Sequence, residues 1–382
     1  MIVFVPKEKK QGEERVGATP EHAYEYVEAG AKVYVEASAG TAAGFLDRTY
    51  RQAGAAVVDP IRFTDAISFY HTLPVEKFIV LKVKEVLKEE SDRLLSPRTP
   101  VVGFGHLASN EWLTKRTIER QATYLSLEDI VEQDGTRPVL RGMSVVAGEE
   151  AIRLAMRRKL SGEKPEVVIV GYGNVGKAAH RVARDEFCLP VTAIDSLTKL
   201  ILMPNTPTEF RFVHSDGNPK GMLSGVISKM YLKHYPLQHS KPHPILLVLA
   251  PYSPENRAPV VVTTEMLKYF PKDSSIVDVS IDQGGACEFS RATSHENPYV
   301  ELEGVKYFGI PNIPGGVGER SAPIFSESVK PFMLESIRHG FVGALKECPA
   351  LRNSVSIYEG TVTSKGLAKT FGLEYTPIDT LL

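Results

Sequence analysis

The sequence predicts an α/β protein of two Rossmann-like domains with parallel sheets, a cleft between them and two long joining helices. Three observations predict it. Short uncharged apolar runs alternate with helical stretches along most of the chain. One of these runs, Val167–Val170, ends in Gly171-Tyr172-Gly173-Asn174-Val175-Gly176. A helix then follows, and a second apolar run, Val191–Ile194, stops at Asp195. The length of 382 residues is too great for one ordinary core.

The elements follow in order. Met1–Val5 reads as a strand and Pro6–Arg15 as a charged loop. Thr19 is placed to cap a helix, with Pro20 at its first position, that runs to about Ala29 and stops at Gly30. Lys32–Glu36 alternates as a strand, and Asp47–Ala53 is a short helix. Phe78–Lys84 reads as a strand with Lys82 and Lys84 on one face, because side chains alternate with period two. Val101–Phe104 is a strand followed by Gly105-His106-Leu107. Asn110–Arg120 is a helix and Thr123–Leu127 a strand. Asp134–Pro138 is turn-rich, and Gly142–Leu160 is a long helix suited to an inter-domain strut. The stretch from Ile201 to His243 mixes Pro, Gly and His with strand-like pieces and receives no assignment. Pro244–Leu249, Ser275–Ser280 and Val305–Gly309 are buried strands. Ser321–Gly340 is a second long helix, crossing back so that the C-terminal segment completes the first domain. The expected domains are therefore 1–138 with 320–382, and a nucleotide-binding domain at 139–319.

In the glycine stretch, Gly171 permits a tight turn, Gly173 admits a pyrophosphate to the backbone, and Gly176 lets helix and strand pack closely. Lys177–Glu186 reads as the helix that follows, whose N-terminus offers N–H groups and partial positive charge, and Asn174 and Val175 are expected to contact the cofactor. Asp195 stands where an acid bonds a ribose 2′-hydroxyl. Ser196 follows it where a 2′-phosphate site often has arginine. NAD is thus favoured over NADP, with Lys199 nearby tempering the preference.

Bulk properties exclude other classes. A formal net charge of −1 argues against a nucleic-acid surface. Cys188, Cys287 and Cys348 lie far apart, form no disulfide framework or metal-binding pair, and fit a reducing, cytoplasmic setting. No signal-peptide pattern or membrane-length apolar run is present.

Lys84, His106 and Asp282 fall at the ends of expected strands, where parallel sheets bind ligands. Arg15 sits in the loop after the first strand. Two cations, an imidazole and a carboxylate suit a small acid bearing an amine or carbonyl. The cations hold its carboxylate, Arg15 bidentately. His106 and Asp282 exchange protons. Taken one at a time, each has a plainer reading: a surface cation, a structural histidine, a capping aspartate.

Sequence context shifts that balance. VPKEKKQGEERVGATPE, AGAKVYVEASAG, YRQAGA, LKVKE, FGHLAS, MSVVAG, GYGNVG, VDVSIDQGG, SRATSHENP, NIPGGV and IYEGTVTSKGLAKTFGL occur in this order over nearly the whole chain. Together they resemble the alanine dehydrogenase and transhydrogenase α-subunit family. The resemblance implies that Arg15 and Lys84 bind the substrate carboxylate, that His106 and Asp282 are catalytic, and that Asn312 reaches the substrate. It implies cofactor contacts at Ser144, Asp195, Leu249, Val279, Ile281, Ile310 and Ile313. The implied activity is NAD-dependent, reversible oxidative deamination of a small L-amino acid, alanine first, by a homo-oligomer (dimer or hexamer). Departures fall at SGEKPEV, YLSLEDI, Asn205–His243, LAPYSPENRAP and GVGERSA. The alternatives are an opine- or saccharopine-type imine-reducing dehydrogenase, a transhydrogenase-like protein that passes hydride to a partner, and a non-catalytic NAD(H)-binding protein.

Overall fold

A computed structural model describes residues 1–59, 78–97, 99–158, 163–195, 211–214, 243–251 and 258–382. Most of the unassigned stretch up to His243, Ser196, Lys199 and much of LAPYSPENRAP lie outside the described residues. The chain divides into two compact units, Met1–Met143 with Gly315–Leu382, and Ser144–Pro314. The sequence-based boundaries sat at 138/139 and 319/320. The first division falls instead inside the Pro138–Arg157 helix.

The strands in chain order are β1 (Ile2–Val5), β2 (Lys32–Glu36), β3 (Ala56–Val58), β4 (Phe78–Leu81), β5 (Pro100–Gly103) and β6 (Thr123–Ser126). Then come β7 (Glu166–Val170), β8 (Val191–Asp195), β9 (Arg211–His214), β10 (Ile245–Leu249), β11 (Ser275–Asp278), β12 (Val300–Leu302) and β13 (Val305–Phe308). β14 (Val355–Tyr358) and β15 (Thr361–Val362) complete the set among the described residues.

The first unit holds a sheet ordered β15-β14-β6-β5-β4-β1-β2-β3. β1 to β6 pair in parallel, whereas β14 is antiparallel to both β6 and β15. The order reverses at β1, which lies between β2 and β4. Crevices at such reversals, beyond the carboxyl ends of strands, are where open α/β sheets bind ligands. The loop after β1 carries Arg15, and the segment after β4 carries Lys84.

The second unit holds a sheet ordered β12-β13-β11-β10-β7-β8-β9, parallel except for the β12–β13 pair. Its reversal lies at β7, between β10 and β8. The apolar runs are continuous because both faces are covered. Val168 and Val170 pack with Leu247 on one side, while Val167 and Ile169 pack with Leu246 on the other.

The outermost pair of strands at one edge of each sheet is a two-residue hairpin. Glu303-Gly304 joins β12 to β13, and Glu359-Gly360 joins β14 to β15. All four residues have positive φ, the requirement of the tight turn whose twist matches that of paired strands. The expectation of parallel sheets thus holds for the sheet interiors and is corrected at one edge of each.

Several element ends differ from expectation. Thr19 makes no capping bond to its helix; its hydroxyl meets His22 Nδ1 at 2.7 Å instead. The Pro138–Arg157 helix starts earlier than Gly142, with proline at the position where a missing N–H costs least. The Gly318–His339 helix lies wholly in the first unit, so it is not a crossing element. Ser326 on that helix reaches the Thr19 N–H at 3.3 Å, and Lys330 reaches Glu25.

Candidate active site

The first unit gathers Arg15, Lys84 and His106 at the carboxyl ends of β1, β4 and β5. Arg15 is 2% exposed. Its Nε and Nη2 donate to Glu13 at 2.7 and 2.6 Å, and Nη1 lies 2.9 Å from Met143 Sδ. The bidentate partner of this guanidinium is therefore Glu13. Lys84 is also buried. Burial, with Arg15 and Lys10 nearby, holds its ammonium below the usual lysine range. Its Nζ sits 5.9 Å from the centre of the Phe104 ring.

Lys82 and Lys84 do not form the common strand face that alternation suggested, because β4 ends at Leu81. Lys82 is fully buried between Glu90 at 3.0 Å and Glu8 at 3.2 Å. Burial disfavours its charge, but the two carboxylates outweigh that and hold its pKa up. Burial pushes Glu8 up to about 7. Glu8 also accepts the Val83 N–H at 2.7 Å, next to Lys84. An ammonium held between two carboxylates and one set beside a guanidinium and an aromatic ring thus sit two residues apart.

His106 follows β5 with φ +45° and a half-exposed side chain. Its imidazole stacks on Phe104, with centroids 6.1 Å apart and planes at 10°. Its backbone N–H donates to Glu128 Oε1 at 2.6 Å, and the Gly105 N–H donates to Oε2 at 3.3 Å. Glu128 thereby fixes a backbone shape that non-glycine residues rarely adopt. Burial lifts the Glu128 carboxyl to about 7.

In the second unit, the glycine turn leaves β7 and opens the Asn174–Asp185 helix. Gly171 has φ +91°, and a Cβ there would lie 2.3 Å from the Ala250 carbonyl oxygen. A Cβ on Gly176 would lie 2.1 Å from the Gly171 carbonyl oxygen. At Gly173 a Cβ would meet nothing within 4 Å. Two of the glycines serve packing and the third leaves space over a helix N-terminus that has no side-chain cap. That is the donor set a pyrophosphate requires. Asp195 ends β8 and accepts the Tyr172 N–H from the same turn. These residues fit a dinucleotide. Gly148 adds support, since a Cβ there would lie 2.1 Å from the Val175 carbonyl oxygen.

Asp282 does not end a strand. β11 stops at Asp278, and Asp282 stands exposed in the turn Val279–Gln283. Its Oδ2 lies 3.4 Å from the Asn312 N–H, which joins two expected site residues. Asn312 has φ +59°. Ser144 lies on the Pro138–Arg157 helix. Val279 and Ile281 are half-buried. Leu249, Ile310 and Ile313 are core residues, at 0%, 2% and 5% exposure, so their side chains are turned into the fold.

Sequence reasoning missed Glu13, Glu128 and Asp278. Glu13 sits two positions before Arg15, and the ion pair is a short-range signal the charged loop did offer. Glu128 meets His106 only because β5 and β6 are adjacent. Asp278 is fully buried and accepts four hydrogen bonds, all from neutral donors. Burial pushes its carboxyl up from the ordinary aspartate value.

A glycine turn at a sheet reversal, a helix N-terminus behind it and an aspartate beside it define a dinucleotide-binding α/β protein. Comparison with known proteins narrows the class. The family models described as alanine dehydrogenase/PNT, N-terminal domain, and alanine dehydrogenase/PNT, C-terminal domain, match residues 4–147 and 153–365. The chain belongs to the alanine dehydrogenase/PNT family. It is 32% identical to an alanine dehydrogenase of Methanococcus maripaludis and 31% identical to one of Halomonas elongata, with 100% of each chain covered. Among solved structures it resembles an L-alanine dehydrogenase, with 28% identity, a TM-score of 0.83, and 97% of this chain and 99% of that one covered. It shares its fold with a transhydrogenase from Sinorhizobium meliloti, at 20% identity, a TM-score of 0.75, and 96% and 99% coverage. Among the described residues no helix is long and apolar enough to cross a membrane.

Proposed function

We propose that this chain is an NAD-dependent alanine dehydrogenase, interconverting L-alanine and water with pyruvate and ammonia. The observation that carries the reading is similarity to curated alanine dehydrogenases along the full chain. The chemistry of the described side chains supports it. NAD, when bound, accepts the hydride from the substrate Cα. Gly173, the N–H groups of Asn174 and Val175, and Asp195 hold the pyrophosphate and a ribose.

The Arg15 guanidinium and the Lys84 ammonium hold the substrate carboxylate. Both cations are buried, so the ion pair forms with little screening. Glu13 fixes the guanidinium plane, and substrate binding relieves the repulsion between Arg15 and Lys84. His106 donates and removes the proton at the carbonyl or carbinolamine oxygen. Phe104 sets the ring plane and Glu128 sets its backbone. Asp282 orients water and ammonia and takes their proton, with the Asn312 N–H steadying one carboxylate oxygen. Each proton transfer of this kind contributes about 10²–10⁴-fold. The protein works as a homo-oligomer, a dimer or hexamer, in the cytoplasm; the three separated cysteines suit that compartment.

The test is an NADH fluorescence titration followed by NADH oxidation with pyruvate and ammonium, alongside longer 2-keto acids and amino acids as the amine donor. Pyruvate with ammonium is expected to turn over fastest. Turnover that requires an amino acid instead of ammonium would assign an imine-reducing dehydrogenase. NADH binding without any turnover would assign a non-catalytic binder.

A further inference from the structure

We propose that Asp278 is a positioning residue for the reaction: its buried carboxylate holds the turn that presents Asp282. This rests on the role given to Asp282 above. Asp278 ends β11 and is fully buried. Its Oδ1 accepts the Ser280 N–H at 3.2 Å, in the first half of the turn Val279–Gln283. Its Oδ2 accepts three donors: the Ala286 N–H at 2.9 Å, the Ser290 hydroxyl at 2.7 Å and the Tyr307 hydroxyl at 3.1 Å.

These bonds grip both ends of one loop. Ser280 lies before Asp282 and Ala286 lies after it. Ser290 Oγ also accepts the Cys287 N–H at 2.9 Å, which extends the grip along the outgoing chain. Tyr307 comes from β13, the strand beside β11, and ties the cluster to the sheet. Between the anchors the loop closes on itself. The Gly284 N–H reaches the Ile281 carbonyl and the Gly285 N–H reaches the Ser280 carbonyl, both at 3.0 Å. Gly285 has φ +79°, and a Cβ there would lie 2.2 Å from Ser290 Oγ and 2.8 Å from Asp278 Oδ2. The loop backbone thus passes directly over the carboxylate, which leaves Asp282 little freedom in where it points.

The chemistry of the partners explains why the residue is an aspartate. All four partners donate, so both oxygens must accept. An asparagine amide fails in either orientation: its NH₂ would face the Ala286 N–H at the Oδ2 place or the Ser280 N–H at the Oδ1 place, neither of which can accept. The hydrogen bonds to the anion also offset part of what its burial costs. Asp278 faces the inside of its loop and acts on the reaction only through Asp282.

A double-mutant cycle tests this, with kcat and pyruvate KM measured on the full chain for Asp278→Asn, Asp282→Asn and the double variant. Asp278→Asn is expected to lower kcat about 10²-fold, the effect of misplacing a reacting group by about 1 Å. In the Asp282→Asn background the same change should cost less than threefold more, because the residue it positions is already gone. Tyr307→Phe removes one donor and keeps the ring. It is expected to lower kcat several-fold in a folded protein and serves the same cycle if Asp278→Asn fails to fold. Independent, multiplicative losses would overturn the proposal, as would unchanged kcat in Tyr307→Phe and Asp278→Asn. Wild-type turnover in Asp282→Asn would instead overturn the role of Asp282 itself.

Discussion

Gly173 and Gly176 belong to one motif, yet the structure gives them opposite duties, and alanine substitution separates the two. At Gly176 an added Cβ would lie 2.1 Å from a backbone oxygen of the turn. Ordinary contact is more than about 1 Å longer, so the helix must move off the turn. Overpacking of this kind costs about 1–3 kcal/mol. For a unit of this size that lowers the melting temperature by roughly 3–10 °C. At Gly173 the added methyl meets nothing within 4 Å, and the φ of −82° is open to any residue. Stability should stay within about 1 kcal/mol of the parent. The methyl does, however, occupy the approach to the helix N-terminus. Losing one charge-assisted hydrogen bond to a phosphate costs about 1.5–3 kcal/mol. NADH affinity should therefore fall about 10- to 100-fold. Thermal unfolding read beside an NADH fluorescence titration measures both. A Gly173→Ala protein that binds NADH as the parent does, or a Gly176→Ala protein that melts with the parent, refutes the assignment.

The first unit supplies further tests. His106→Ala should retain NADH affinity and lose turnover by at least about 10²-fold, and normal turnover would remove the imidazole from the mechanism. Lys84→Met should raise the pyruvate KM by about 10²-fold or more with NADH affinity unchanged, since a buried ammonium is lost from the carboxylate site; an unchanged KM would place the substrate elsewhere. Glu128 titrates at about 7 in the folded protein against 4.5 in its ordinary state. Between those values the folded chain holds a proton that the unfolded chain has released, so stability declines as pH rises from 4.5 to 7. Glu128→Gln should flatten that part of the profile in denaturant unfolding across pH. A slope as steep as the parent's would show that this carboxyl is not held up by burial.

Local pattern was enough wherever one stretch of chain decides the outcome. β7 and β10 are buried on both faces, so their uncharged runs were legible as strands. The glycine turn was legible because the reason for each glycine lies within the motif or its immediate neighbours. The two hairpins had a visible signal, Glu-Gly between apolar runs, but their place at the antiparallel edges was not. The lysines of LKVK show the limit of periodicity. Alternation assumes a strand, and β4 had already ended. What separates Lys82 from Lys84 is the company each keeps: Glu8 and Glu90 around one, Arg15 and Phe104 beside the other. Asp282 was placed at a strand end for the same reason, and the true end is Asp278.

By itself the sequence determined the α/β class, the dinucleotide turn and the family, because those rest on order and spacing along the chain. Tertiary structure alone decided which charged groups are spoken for. Lys82 finds Glu8, His106 is framed by Glu128, and Asp278 collects donors from a loop and a neighbouring strand. Hydrogen bonds and buried ion pairs act over about 3 Å, and strands far apart in sequence become neighbours at that range only once the sheet has formed.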